Sequence, residues 1–273
     1  MFAKLLKHEW QANVRLLSLL CGCAVGLGCI AAVILRIITS NWDAIIESDT
    51  AALFLIPAFF FLLAVFLGII LLSPCIQYIL LYRFYKSRFT DEGYLMFTLP
   101  VKTSHLFLSS AVHFAIWYAI YFVTLIISLG IAIGLGPVWQ SEVLEIFKMG
   151  YSEMSTGFNE ILGPGYILSG IFSLLVMGCY SIVAPMSAVV LGASIAKKHK
   201  VLTIIGILIG ISMVTSTVNG IITSLTQFLS LTIDDILALA TVTPLLTCIV
   251  PLAFTIGGYF LSIHIMQHRL NLP

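Results

Sequence analysis

Charge is what this sequence lacks most. Asp, Glu, Lys and Arg make up 9% of its 273 residues, against about a quarter in a soluble domain. With 60% hydrophobic residues and a mean hydropathy of +1.10, there is too little polar surface to cover a water-soluble globule. Alternating segments of ~10 residues, the mark of a membrane β-barrel, are absent too. No cysteine stands in a loop. Cys21, Cys23, Cys29, Cys75, Cys179 and Cys248 all fall in apolar runs, which argues against a disulfide framework. Cys21 and Cys23 sit about 200° apart around a helix, so they do not form a metal pair. They read as small core residues. There is no Asn-x-Ser/Thr acceptor. No G-x-x-x-x-G-K-[ST], H-E-x-x-H or G-x-S-x-G stretch exists, which excludes a phosphate loop, that zinc-protease helix and that nucleophile elbow. No carboxylate lies in the middle of an apolar run, where a proton-coupled carrier would need one.

What is present is a series of long apolar runs. About 20 helical residues cross ~30 Å of hydrocarbon. Six runs qualify, at roughly 16–38, 51–82, 106–135, 166–196, 201–231 and 236–267. The expected fold is an all-α polytopic membrane protein, a single transmembrane domain over 1–273. The first run is far longer than the ~7–15 residues of a signal-peptide core and reads as a retained span. The second and sixth exceed what crossing requires. Pro57 and Pro74 in one, Pro244 and Pro251 in the other, are candidate kink sites.

Charge sets an expected orientation. Of thirteen Lys and Arg residues, all but Arg36 and Lys148 fall on one side: the N-terminus, 83–105, 197–200 and the C-terminus. Loops rich in Lys and Arg stay cytoplasmic, so both termini are expected inside. Nine of the twelve acids fall on the other side, in 43–49, 142–160 and 234–235, where they make a solvated, mildly acidic outer face. In the N-terminal stretch MFAKLLKHEWQANV, Phe2, Leu5, Leu6 and Trp10 share one arc of a helical wheel and Lys4, Lys7, His8 and Gln11 the other. Residues 1–14 are thus expected as an interfacial amphipathic helix. Glu9 and Asn13 interrupt the apolar arc, which suggests protein contact as well. The outer connection 137–165 opens on Gly136-Pro137 and closes on GPG at 163–165. Between them SEVLEIFKM is expected as a short surface helix capped by Ser141.

The loop RFTDEGYLMFTLPVK, 88–102, poses a puzzle. Its charges, Arg88, Asp91, Glu92 and Lys102, belong in water. Yet it also carries Phe89, Tyr94, Leu95, Met96, Phe97 and Leu99. Thr90 can cap a short helix whose first turn holds Asp91 and Glu92. That helix must end before Pro100. Two readings compete: a helix lying in the interface with its aromatics down, as aromatic belts do, or a helix that plugs into a cytosolic partner, where aromatic anchors dominate. Periodicity does not separate them.

The acidic residue Glu92, then Gly93, the run YLMFTL, and Pro100-Val101-Lys102 leading into TSHLFLSS resemble the first cytoplasmic loop of type-2 ABC exporter permeases. The similarity is greatest to the short permeases of Gram-positive bacteria that export peptides and toxins, such as the phenol-soluble modulin exporters. The six-span layout is similar along the whole chain. The resemblance implies a coupling helix that docks on a separate ABC ATPase through Phe89, Asp91, Glu92, Tyr94, Phe97, Leu99 and Pro100. It implies two permeases around a central path, with ATP and Mg bound by the partner ATPase and no cofactor bound by this chain. The expected setting is the plasma membrane of a bacterium. The expected contacts are the ATPase, a second copy of this or a related permease and lipid, with no nucleic acid. The chain departs from the family pattern at KKHK, 197–200, too short a second cytoplasmic connection to dock deeply. The expected role is a transporter subunit, not an enzyme. An ion-coupled secondary carrier and a non-transporting membrane receptor or immunity protein remain open. An amphipathic peptide or other hydrophobic cargo is the class this resemblance implies.

The fifth run is the most polar. Thr215, Ser216, Asn219 and Thr223 are candidates to line a path; equally, their hydroxyls can bond back to their own helix or join helices. Gly220 can break that run, making 221–235 a re-entrant hairpin of the kind the resembled family has. His113, two turns inside the third run, reads as a hydrogen-bonded packing residue.

Overall fold

The computed structural model describes residues 2–40, 51–90, 93, 102–136, 148–150, 152, 164–196, 199–230 and 236–268. Among these the structure is all-helical. In chain order, α1 is Phe2–Ser40, α2 Ala51–Phe89, α3 Thr103–Leu135, α4 Pro164–Ile195, α5 Lys200–Ser230, α6 Ile236–Thr247 and α7 Ile249–His268. Six stretches are long and apolar enough to cross a membrane: α1, Leu55–Phe89 of α2, α3, Ile167–Ile195 of α4, Lys200–Leu229 of α5, and Val242–His268 across α6 and α7. Among the described residues the architecture is that of a multi-pass membrane protein with six candidate spans. In lipid only internally bonded backbone is tolerated, and helices supply that without partners.

The element ends differ from the expected ones in instructive ways. Helix α1 runs unbroken from Phe2, so the amphipathic stretch forms the first turns of the same helix that continues as the first span. Within it Lys4, Lys7, His8 and Gln11 are exposed, Phe2, Leu5, Leu6 and Trp10 are half-buried, and Asn13 is buried. At the other end of the second span, helix continues seven residues beyond the expected boundary at Tyr82, because RFYKSRF contains neither Gly nor Pro. Thr90 does not cap a following helix through its side chain. Its Oγ1 donates back to the Lys86 carbonyl, and the Gly93 amide is taken by the Thr90 carbonyl.

Helix α5 is not broken at Gly220; it continues to Ser230. One glycine costs a helix about 1 kcal/mol, and the lipid-facing backbone has no other way to satisfy its polar groups. The expected hairpin at 221–235 is therefore replaced by helix as far as Ser230, and 231–235 lie outside the described residues. The expected surface helix 141–149 lies mostly outside them too; Lys148–Gly150 are helical.

The sixth span is interrupted at Cys248, between its prolines. Pro251 has no N–H to give the Thr247 carbonyl. The Cys248 amide instead turns three residues back to Leu245, and the helix resumes when Leu252 donates to Cys248. Thr247 Oγ1 donates to the Thr243 and Pro244 carbonyls on one side of the break, and Thr255 Oγ1 to Pro251 on the other. Pro57 and Pro74 both lie inside α2.

The chain divides into two compact units. One comprises Ala3–Leu80 and Val112–Met149, the other Met1–Phe2, Leu81–Ala111 and Gly150–Pro273. In the first, Ala31, Val65, Ile69 and Ala132 form a core flanked by Leu27, Ile34, Leu62, Phe66 and Leu125. Small residues let α1 and α3 touch: Ser128 Oγ donates to the Ala24 carbonyl at 2.9 Å beside Gly28. In the second, α4 packs along α5, α6 and α7. The short connection after α4 brings Gly192 against Ile204. A Cβ there would lie 2.8 Å from the Ile204 Cα and 2.9 Å from its N.

Candidate functional site

The root of the loop after the second span is built from the last turns of α2 and the first of α3. Along α2, Leu81, Phe84 and Arg88 recur at helical spacing and are all buried, while Tyr82, Arg83 and Lys86 are exposed. Arg88 is 0% exposed, contrary to the expectation that it sits in water. Its Nη2 donates to the Leu106 carbonyl at 3.2 Å and to Ser110 Oγ at 3.3 Å. A guanidinium offers five donors in a rigid fork, so one side chain can hold two acceptors a helical turn apart. Burying that charge is costly unless it is hydrogen-bonded, which makes these contacts determinants of geometry.

Gly93 fixes the other side of the elbow. It is buried, and a Cβ on it would collide with the backbone carbonyl of Arg88. Only glycine allows the chain to fold back this closely on the helix it has just left. On the α3 side, the Lys102 carbonyl accepts from the His105 and Leu106 amides and starts the helix two residues after Pro100.

Phe89 is 4% exposed. Its ring stacks on Tyr85 at 6.2 Å and meets Phe84 edge-on at 6.1 Å. It is thus enclosed by its own chain rather than presented as an oily anchor. Asp91, Glu92, Tyr94, Phe97, Leu99 and Pro100, the other residues expected to meet a partner, lie outside the described residues. From Phe84 the aromatic contacts continue. Phe84 meets Phe107 edge-on at 6.2 Å and 89°, and Phe107 meets Tyr259 of α7 at 5.7 Å and 73°. Gln267 Nε2 of α7 donates to Thr103 Oγ1 at 3.0 Å.

Thr215, Asn219 and Thr223, four residues apart, share one face of α5, with Ser216 at its edge. Thr215 is buried, donates to the Ile211 carbonyl at 2.7 Å and bonds Tyr180 of α4 at 2.9 Å. With its proton given to the backbone, Thr215 accepts from Tyr180. Ser216 is exposed. Thr223 is half-buried and bonds back to the Asn219 carbonyl. Asn219 buries its Oδ1 without a hydrogen-bond partner among the described residues. Thr217 and Ser224 bond back to Met213 and Gly220. Most of these hydroxyls therefore satisfy their own helix.

No family model, curated protein or solved structure matches this chain. Its chemistry has to be read from its own residues. Arg88, Phe84, Phe107 and Tyr259 were not singled out as site residues from sequence. The signal that would have found the first two is the phase of Leu81, Phe84 and Arg88, which continues the buried stripe of the second span past its last apolar run.

Proposed function

We propose that this chain is the membrane-spanning subunit of an ATP-driven exporter of the type-2 ABC class, set in a bacterial plasma membrane with both termini in the cytoplasm. It pairs with a second permease, and a separate ATPase binds ATP and Mg. The observation that carries this reading is the sequence from Glu92 to Lys102, acidic-Gly-YLMFTL-Pro-Val-Lys, in the connection between the second and third spans. The six-span architecture and the gathering of Lys and Arg on one side agree with it.

In this reading Tyr94, Phe97 and Leu99 enter a cleft on the ATPase, and Asp91 and Glu92 meet its basic residues. Phe89 and Pro100 flank the docking segment and fix where it leaves the spans. Phe89 does so from inside the protein's own packing. A sparse polar lining suits an amphipathic peptide or other hydrophobic cargo, with Thr215, Ser216, Asn219 and Thr223 as the polar residues nearest a path.

Tyr94→Ala combined with Phe97→Ala tests the reading. The spans are untouched, so the variant should reach the membrane at normal levels. Losing two aromatic anchors of about 1.5–3 kcal/mol each should cut co-purification with the partner ATPase at least tenfold. Unchanged co-purification and unchanged hydrolysis would favour an interfacial belt instead.

A further inference from the structure

We propose that Arg88 is a positioning residue that locks the foot of α2 to the start of α3, and that the ring series Phe84, Phe107 and Tyr259 passes displacement of that foot to α7. This rests on the reading of the 88–102 loop as the ATPase-coupling segment, and it adds a destination that the loop sequence does not supply. A loop between α2 and α3 moves those two helices through the covalent chain. Nothing in the sequence connects it to the last span, more than 140 residues later.

The contacts do. Arg88 bonds two acceptors of α3 and is fully buried. It cannot slide along α3 without breaking bonds that no water replaces. Phe84, one turn earlier on the same face, stands edge-on to Phe107, which is 0% exposed. Phe107 in turn stands edge-on to Tyr259. With Phe84 and Phe107 both buried and the three rings in edge contact, a shift of one ring displaces its neighbour. Gln267 and Thr103 make a second tie between α3 and α7, two turns from Tyr259 toward the C-terminal end. All these residues belong to one compact unit. Contiguity supplies a route; coupling along it is a matter of measurement.

The experiment uses the full permease with its ATPase in lipid nanodiscs. A nitroxide is placed at Ile256→Cys, an exposed position of α7, on a cysteine-free background. Its accessibility to a water-soluble relaxation agent is read with and without ATP and vanadate. Wild type should change at least twofold. Arg88→Met keeps an unbranched apolar stem but removes every donor, and it should retain ATPase binding while losing at least three quarters of that change. Arg88→Lys, which restores a charge but not the fork, should recover it in part. Phe107→Leu keeps an apolar side chain and removes the ring, and should behave like Arg88→Met. It decides the matter if Arg88→Met does not assemble. A variant that binds ATPase and keeps the full ATP-dependent change at Ile256 overturns the proposal. A wild-type permease that binds no ATPase overturns the coupling reading as well, and that failure shows separately in the binding measurement.

Discussion

Trp117 shows how much one polar atom can decide inside a membrane helix. Its Nε1 donates to His113 Nε2 at 3.1 Å, one turn back on α3. Indole can only donate, so His113 Nε2 accepts, and the neutral ring keeps its hydrogen on Nδ1. Trp10 of α1 stacks on Trp117 at 4.9 Å and 18° and meets His113 edge-on at 6.4 Å. The apolar arc of the N-terminal stretch thus has a partner in the protein at Trp10. Trp117→Phe should leave the His113 nitrogen without a donor in a buried site and thin the stack on Trp10. The hydrogen bond alone is worth about 1–3 kcal/mol when its loss strands a buried partner. The melting temperature in detergent should fall by several degrees. His113→Leu should cost less in the Trp117→Phe background than in wild type, because the two changes remove one shared interaction. Additive losses would mean that the bond contributes nothing beyond ring packing.

At the scale of elements, the two sides of α5 predict opposite outcomes for the same substitution. Gly192 of α4 lies against the Ile204 backbone, so an alanine methyl there must push α4 and α5 apart. Overpacking of this kind costs about 1–3 kcal/mol. Gly206, two residues beyond Ile204, has open space where a Cβ would go. There the change to alanine should stabilise by up to about 1 kcal/mol through helix propensity. Thermal unfolding of Gly192→Ala and Gly206→Ala in one detergent should move in opposite directions, and movement in the same direction would show that the close approach is not rigid. The helices themselves were legible in sequence because hydrocarbon thickness demands long uninterrupted apolar runs. Their ends were not. Residues 83–89 look wet because Arg83, Lys86 and Arg88 are charged, yet only the first two are exposed; helical phase, not composition, sorts them. Gly220 looked like a break, but a membrane helix has no water to satisfy opened backbone groups, so a single glycine is carried through. Pro244 and Pro251 were recognised as breakers. The interruption at Cys248 between them follows from the one missing donor at Pro251.

For the whole molecule, the candidate site was legible only as a sequence pattern. Local spacing marks the loop after the second span as unusual, but it cannot report what Arg88 and Phe107 reach across more than 15 residues of chain, still less Tyr259. Long-range contacts of this kind are set by packing, and single-sequence periodicity carries no information on them. Orientation, by contrast, is a whole-chain property that composition does address. Lys4, Lys7, Arg15, Lys102, Lys197, Lys198, Lys200 and Arg269 all fall on the side assigned to the cytoplasm, and His105, His199 and His268 add to it. Moving such residues across hydrocarbon is costly, and short loops obey the Lys and Arg bias most strictly. The connection KKHK is the most decisive, being only four residues long and nearly all cationic. A single cysteine at Lys198, on a cysteine-free background, should stay unlabelled by a membrane-impermeant maleimide added to intact cells. It should label within minutes once the membrane is opened. A cysteine at Glu142, in the acidic connection after the third span, should show the reverse order. Labelling of Lys198→Cys from outside would invert the molecule. It would place the 88–102 loop on the outer face, where no ATPase can reach it, and the proposed function would fall with the orientation.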